Sequence, residues 1–287
     1  MKYTTLPNTE IKVSKICLGT MTFGQQNTEA EGHEQMDYAL EKGVNFFDTA
    51  EMYSVPAREE TYGSTEKILG TWFKKTGRRE EVVLASKIAG PNPNFTYMRD
   101  KNDFSPASIK YALDNSLQRL QTDYLDLYQL HWPERKTNFF GQRGFTVQED
   151  SWEDNIHAVL DTLGDLIKEG KIKHIGLSNE TPWGIMRFLE ESKYNHLPRV
   201  KTVQNPYSLL NRLFENGSAE ICMRENVGLL AYSPMAFGVL SGKFLSGENH
   251  PNSRLNLFPQ MARYNSAQCA EATRLYQEIA HENGLTL

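Results

Sequence analysis

Asn45-Phe46-Phe47-Asp48-Thr49-Ala50 is a short aromatic run that turns polar at its carboxyl end, and residues 65–75 follow with Ile68, Leu69, Trp72 and Phe73 on one helical face. A buried strand followed by an amphipathic helix is one βα unit. The same pairing recurs on both sides of it. Ile16-Cys17-Leu18-Gly19 precedes residues 29–42, where Met36, Ala39 and Leu40 share a face. Residues 82–87 precede 106–120, in which Ile109, Leu113, Leu117 and Leu120 fall at three- and four-residue steps. Further on, 124–131 precedes 155–168, 173–178 precedes 183–191, 202–204 precedes 218–225, and 228–232 precedes 267–282. Gly43, Gly77, Gly170 and Gly284 stand just past periodic stretches, where helices stop.

Repeated β-then-α of this kind predicts parallel strands with helical crossovers. Seven units in one chain favour a (β/α)8 barrel of the triosephosphate-isomerase type over an open sheet. The turn after the first strand reads Gly19-Thr20-Met21-Thr22-Phe23-Gly24, which is not the GxGxxG of a Rossmann fold. Residues 2–13 read as a short hairpin able to plug the bottom of the barrel, and 1–287 as a single barrel domain. An eighth strand and helix do not follow the seventh unit, so the last βα unit is expected to be missing and Leu287 to fall short of the natural end.

Hydrophobic residues make up 39% of the chain and charged residues 23%, a globular composition, and the net charge of -5 offers no basic surplus for nucleic acid. The longest apolar runs, such as Val82-Val83-Leu84-Ala85, are far too short to span a bilayer. Residues 1–7 have no signal-peptide core. Cys17, Cys222 and Cys269 are odd in number, scattered and without metal-ligand or CxxC spacing. They read as free buried thiols of a cytoplasmic protein, with no metal.

Barrels of this type carry chemistry at the carboxyl ends of their strands. Here those ends hold Asp48, with Tyr53 five residues on, then Lys87, His131, Ser178-Asn179, Gln204-Asn205 and Tyr232-Ser233. Each has a bland reading. Asp48 suits a turn cap, Tyr53 a loop aromatic with a wet hydroxyl, Lys87 a snorkelling lysine, and His131 a satisfied core histidine. As a set they fit carbonyl reduction. A phenol with pKa of about 10 is a poor acid at neutral pH, and a close ammonium lowers it. Lys87 would supply that charge, Asp48 would orient the lysine, Tyr53 would give the proton, and a neutral His131 would hold the carbonyl oxygen. Hydride transfer lies beyond side chains, so a nicotinamide cofactor is implied.

At these residues the chain resembles the aldo-keto reductases. The resemblance rests on Gly19 to Gly24, Phe47-Asp48-Thr49-Ala50-Glu51-Met52-Tyr53, Ala85-Ser86-Lys87, and the run from Leu117 to Tyr128 that leads to His131. It continues through Ile175-Gly176-Leu177-Ser178-Asn179, Gln204-Asn205-Pro206-Tyr207-Ser208, Ala231-Tyr232-Ser233-Pro234 and Gly238 to Lys243, nearly the whole chain in order. Within the family it is most similar to the bacterial Tas-type branch, near the potassium-channel β-subunit-like group.

The resemblance implies an NADPH-binding barrel with the tetrad Asp48, Tyr53, Lys87 and His131. It places Thr20, Met21, Gln26 and Asp48 near the nicotinamide ribose, Ser178, Asn179 and Gln204 on the carboxamide, and Tyr232 on the ring. It wraps Ser233, Pro234, Met235, Ala236 and Phe237, with Gly238 and Leu240, around the diphosphate, faced by Lys243 and Arg254; a solvated loop is the bland reading of those two. The family's site for adenosine and the 2′-phosphate lies largely after the last strand, past these residues. The preference for NADPH over NADH therefore comes from the resemblance.

Two long connections, 90–104 and 133–152, carry Phe95, Tyr97, Phe139, Phe140, Phe145 and Trp152, which suit an apolar or aromatic aldehyde, or simply pack the loops down. A nicotinamide-binding redox sensor like the potassium-channel β-subunits is the alternative, and a Schiff-base enzyme on Lys87 a remoter one. No coiled-coil seam marks an oligomer.

Overall fold

A computed structural model of the chain describes residues 1–142, 144–146, 151–259 and 261–287. Part of the 133–152 connection (Arg143 and Val147 to Asp150) lies outside the described residues, as does Gln260. Strand β1 (Tyr3–Thr5) pairs antiparallel with β2 (Lys12–Ser14), with Tyr3 opposite Ser14. Strand and helix then alternate: β3 (Cys17–Gly19), α1 (Glu29–Glu41), β4 (Phe46–Asp48), α2 (Ser64–Thr76), β5 (Val83–Ile88), α3 (Pro106–Leu120), β6 (Leu125–Leu130) and α4 (Ile156–Lys168). After them come β7 (Ile172–Ser178), α5 (Pro182–Asn195), β8 (Thr202–Pro206), α6 (Ser218–Arg224), β9 (Gly228–Tyr232), α7 (Arg254–Leu257) and α8 (Ala267–Glu282).

The strands from β3 to β9 form one sheet in chain order, and the pairs from β3 to β7 are parallel. This is the alternating α/β architecture that the sequence predicts for a (β/α)8 barrel, seen here with seven strands in its sheet. The chain divides into two compact units, one of Met1–Val203 with Ile221–Gly228 and one of Gln204–Glu220 with Leu229–Leu287.

In the first unit the central strands are covered on both faces, which is why they read as continuous apolar runs. Every residue of β6 is buried, and in β5 only Val83 is partly exposed. The helices start on sequence signals that the structure shows as contacts. Thr28 and Glu31 form a capping box at α1, while Ser105 and Thr181 cap α3 and α5, each followed by a proline in the first turn. Gly77, at the end of α2, has φ of 69°, a left-handed conformation that glycine adopts without steric cost.

Helices α2 and α3 meet closely at Gly70, where an added Cβ would lie 2.1 Å from the carbonyl oxygen of Arg119. Beside that contact the buried Glu66 carboxylate accepts from Arg119 Nε at 2.7 Å and from Ser86 Oγ at 2.6 Å.

The second unit packs a tight 3-10 turn, Ala236–Ser241, into a small core of Ala236, Val239, Leu240 and Tyr264. Asn211 Nδ2 donates to Tyr264 Oη at 3.2 Å, fixing the far side of that core.

The expectation of three buried thiols needs correcting. Cys222 is buried, Cys269 is half-buried and Cys17 is exposed. Cys17 lies on β3, which among the described residues stands at one end of the sheet order. Among the described residues no helix is long and apolar enough to cross a membrane.

Gly70→Ala should destabilise the chain by roughly 1–3 kcal/mol, because the α2–α3 backbone contact must open to admit the methyl group. A urea midpoint unchanged from that of the parent would show the contact to be looser than described.

Candidate active site

The first unit gathers its polar strand ends around one lysine. Lys87 lies one residue inside the end of β5 and its side chain has no exposed surface. A buried ammonium needs acceptors for all three protons. It donates to Asp48 Oδ2 at 2.6 Å and to the Thr49 carbonyl at 2.8 Å, and reaches Tyr53 Oη at 3.5 Å. All three come from the short segment that leaves β4, so one turn of chain solvates the charge. Burial alone would pull the lysine's pKa down. Asp48 and Tyr53 outweigh that, and the net direction is up, so the ammonium stays charged.

Asp48 is held from other sides as well. Gln129 Nε2, on β6, donates to Asp48 Oδ1 at 3.2 Å, and Thr20 Oγ1 donates to the Asp48 carbonyl at 2.8 Å. Gln129 was not among the residues singled out in the sequence. The signal that could have found it is its place on β6 two residues before His131, which follows that strand directly, since alternate residues of an extended chain point to one face.

His131 follows β6 directly, and its N–H donates to the carbonyl of Ile88 at 2.9 Å. Its ring stands edge-on to that of Tyr53, with centroids 5.6 Å apart. Burial, aided by the charge of Lys87, pushes the imidazole pKa well below its usual value, so the ring is neutral. Its Nδ1 is buried with no hydrogen-bond partner among the described residues. Asn179 Nδ2 donates to the His131 carbonyl at 2.9 Å and to Ser178 Oγ at 3.1 Å, so these two residues from the end of β7 adjoin the histidine.

The remaining first-unit residues named from the sequence sit on the loop after β3. Thr20 is buried against Asp48, while Met21 and Gln26 are half-buried; the Met21 carbonyl accepts from the N–H of Val55 at 3.1 Å.

An apolar wall adjoins the histidine. Trp132 packs with Ala89, Phe95 and Met98, and Met52, Tyr97 and Phe139 lie against that cluster. Phe140 stacks edge-on to Trp132 with centroids 5.7 Å apart. Of the loop aromatics noted in the sequence, Phe145 instead faces solvent. Trp152 is half-buried, its Nε1 donating to Asn155 Oδ1 at 3.2 Å.

In the second unit, Gln204 is buried and Tyr232 half-buried. The segment after β9 is tightly coiled, with φ of 55° at Ser233, 47° at Ala236, 58° at Phe237 and 95° at Gly238. Successive left-handed residues make the kind of concave main chain that cradles anions. Pro234 and Met235 are exposed on this turn and Leu240 is buried beneath it. Lys243 lies alongside, its Nζ 3.5 Å from where a Cβ on Gly238 would stand. The guanidinium of Arg254 lies 5.6 Å from the Phe237 ring centroid, and that of Arg263 lies 5.9 Å from it. Arg263, unnoticed in the sequence, thus joins the cations at this turn.

A family model described as "Aldo/keto reductase family" matches residues 15–287. Protein tas of Escherichia coli is 48% identical over 99% of this chain and 83% of its own length. The uncharacterized oxidoreductase YrpG of Bacillus subtilis is 36% identical over 85% of this chain and 70% of its own. The aldo-keto reductase yakc [NADP(+)] of Schizosaccharomyces pombe is 28% identical over 94% and 72%.

A histidine whose folded pKa lies below its unfolded value of about 6.5 weakens the fold as pH falls through that value, because the unfolded chain takes up the proton more readily. His131→Gln should therefore lose less stability than the parent between about pH 7 and pH 5. Parallel urea titrations check this, and an equal loss in both proteins would mean that the imidazole is not held neutral.

Proposed function

The chain belongs to the aldo/keto reductase family of oxidoreductases, and from that premise we propose that it reduces an aldehyde or ketone to the alcohol with NADPH, Tyr53 giving the proton. The observation that carries the reading is the single buried Lys87 ammonium that reaches Asp48, Thr49 and the Tyr53 hydroxyl together.

When bound, NADPH supplies the hydride that a carbonyl carbon must receive. The rest of the chemistry belongs to side chains. As negative charge grows on the carbonyl oxygen, Tyr53 Oη passes its proton to it, and the adjacent ammonium stabilises the phenolate left behind. Asp48 keeps Lys87 charged and in place. His131 is neutral, so it offers the oxygen a hydrogen bond without competing as an acid. Tyr53 then regains its proton from solvent through the site.

The residues present fit the cofactor. Ser178 and Asn179 offer polar groups beside His131, and Thr20, Met21, Gln26 and Asp48 are the candidates for the ribose side. In the second unit Gln204 and Tyr232 are candidates for the nicotinamide. There the coiled turn Ser233, Pro234, Met235, Ala236, Phe237 and Gly238, with Leu240, Lys243 and Arg254, has the main-chain shape and the cations that a diphosphate requires. The S. pombe relative has NADP(+) in its name, which supports the choice of phosphate-bearing cofactor. The wall of Trp132, Phe95, Met98 and Phe139 suits an apolar or aromatic carbonyl substrate.

NADPH titration by quenching of tryptophan fluorescence, followed by NADPH oxidation with an aromatic aldehyde, tests the reading directly. Tyr53→Phe should cut turnover by roughly 100- to 10,000-fold while NADPH binding holds within about twofold. Proportionate loss of both would remove Tyr53 from its role. Tight NADPH binding without turnover of any carbonyl would point to a redox-sensing module instead.

A further inference from the structure

Beyond Lys87 the β4–β5 ladder is completed by side chains. The N–H of Thr49 donates to the Ala85 carbonyl at 2.9 Å and that of Glu51 to the Lys87 carbonyl at 3.2 Å. At the next rung no main chain follows. The Ala89 N–H donates to Glu51 Oε1 at 2.6 Å, and the Ala89 carbonyl accepts from Arg99 Nη2 at 2.9 Å. Arg99 Nη1 closes the arrangement on Glu51 Oε1 and Oε2, at 2.8 and 2.9 Å. One ion pair therefore satisfies both peptide groups of Ala89, the second residue after Lys87.

The substitution frees the backbone. After Glu51 the chain turns back, with the Tyr53 N–H donating to the Ala50 carbonyl at 3.1 Å, and the phenol ring comes to lie 4.9 Å from Lys87 Nζ. A strand that continued straight could not bring Tyr53 there. Arg99 also belongs to the loop that carries Phe95 and Met98 onto Trp132, so the same guanidinium ties down the apolar wall.

The pair is a poor choice for stability alone. The Glu51 side chain is 0% exposed and that of Arg99 5%, and Arg99 Nε is buried without a partner among the described residues. Apolar side chains of similar volume usually stabilise such a place as well or better. Burial drives the Glu51 pKa up, against the pull of Arg99.

We propose that Glu51 and Arg99 are positioning residues that set Tyr53 against Lys87 and fix the substrate-side wall; this rests on the reductase reading above. Kinetics with NADPH and an aromatic aldehyde, read beside NADPH binding by fluorescence, test it on the intact chain. Arg99→Met should lower kcat by roughly 100-fold, the size of loss that a misplaced catalytic group produces, with NADPH affinity held within about twofold. Arg99→Lys, which keeps the charge but not the fork, should restore kcat to within about tenfold of the parent. A kcat for Arg99→Met within about threefold of the parent, or a fall in kcat matched by a fall in NADPH affinity, would overturn the role. If Arg99→Met does not fold, Arg99→Lys decides. Reduced kcat with intact NADPH binding supports the proposal, and unchanged kcat ends it. A parent chain that reduces no carbonyl would sink the reductase reading and the role with it, a result visible before any substitution is made.

Discussion

An ammonium group with no exposed surface must find acceptors for three protons within the protein, and much of the first unit is arranged to provide them for Lys87. The acceptors come from one segment, 48–53, which forces that segment to wrap the end of β5 instead of running on as strand. The wrap in turn needs anchors. Thr20, just past β3, and Gln129 on β6 hold Asp48, and Glu51 takes over the rung that the departing backbone abandons. A single buried charge thereby coordinates four neighbouring strands.

The same logic gives the strand ends their electrostatic character. Lys87 remains cationic because a carboxylate and a phenol face it, while His131 remains neutral because it is buried beside that cation. Two neighbouring buried groups are thus driven to opposite protonation states, one charged and one neutral. Under the proposed function neither state depends on substrate being present. The environment is set by the fold before any ligand arrives, which is what preorganisation means in physical terms.

Much of this was legible in the sequence, for reasons that can be named. Strands buried on both faces, such as Leu125–Leu130, leave continuous apolar runs, and helix ends leave glycines such as Gly77. Lys87 stood out because a charged residue at the end of a buried strand must have a partner somewhere. What was not legible depends on the path of loops. Arg99 meets Glu51 across 48 residues, and no periodicity encodes that meeting. Arg263 joins Arg254 at Phe237 only because the chain doubles back. The loop aromatics show the same limit. Phe95 and Phe140 pack onto Trp132, whereas Phe145 points to solvent, and composition does not distinguish them.

The placement of Trp132 has a consequence for how such a chain diversifies. It follows His131 in sequence, their rings lie 5.0 Å apart, and its indole N–H donates to the Pro91 carbonyl at 3.2 Å. An added Cβ on Gly90 would come within 2.5 Å of that indole nitrogen, so the tryptophan is wedged from behind as well. Reshaping the wall at this position would disturb the histidine through the shared backbone. Phe140, exposed by 47%, carries no such burden. Substitution is therefore tolerated more readily at the outer edge of this aromatic cluster than at Trp132 itself.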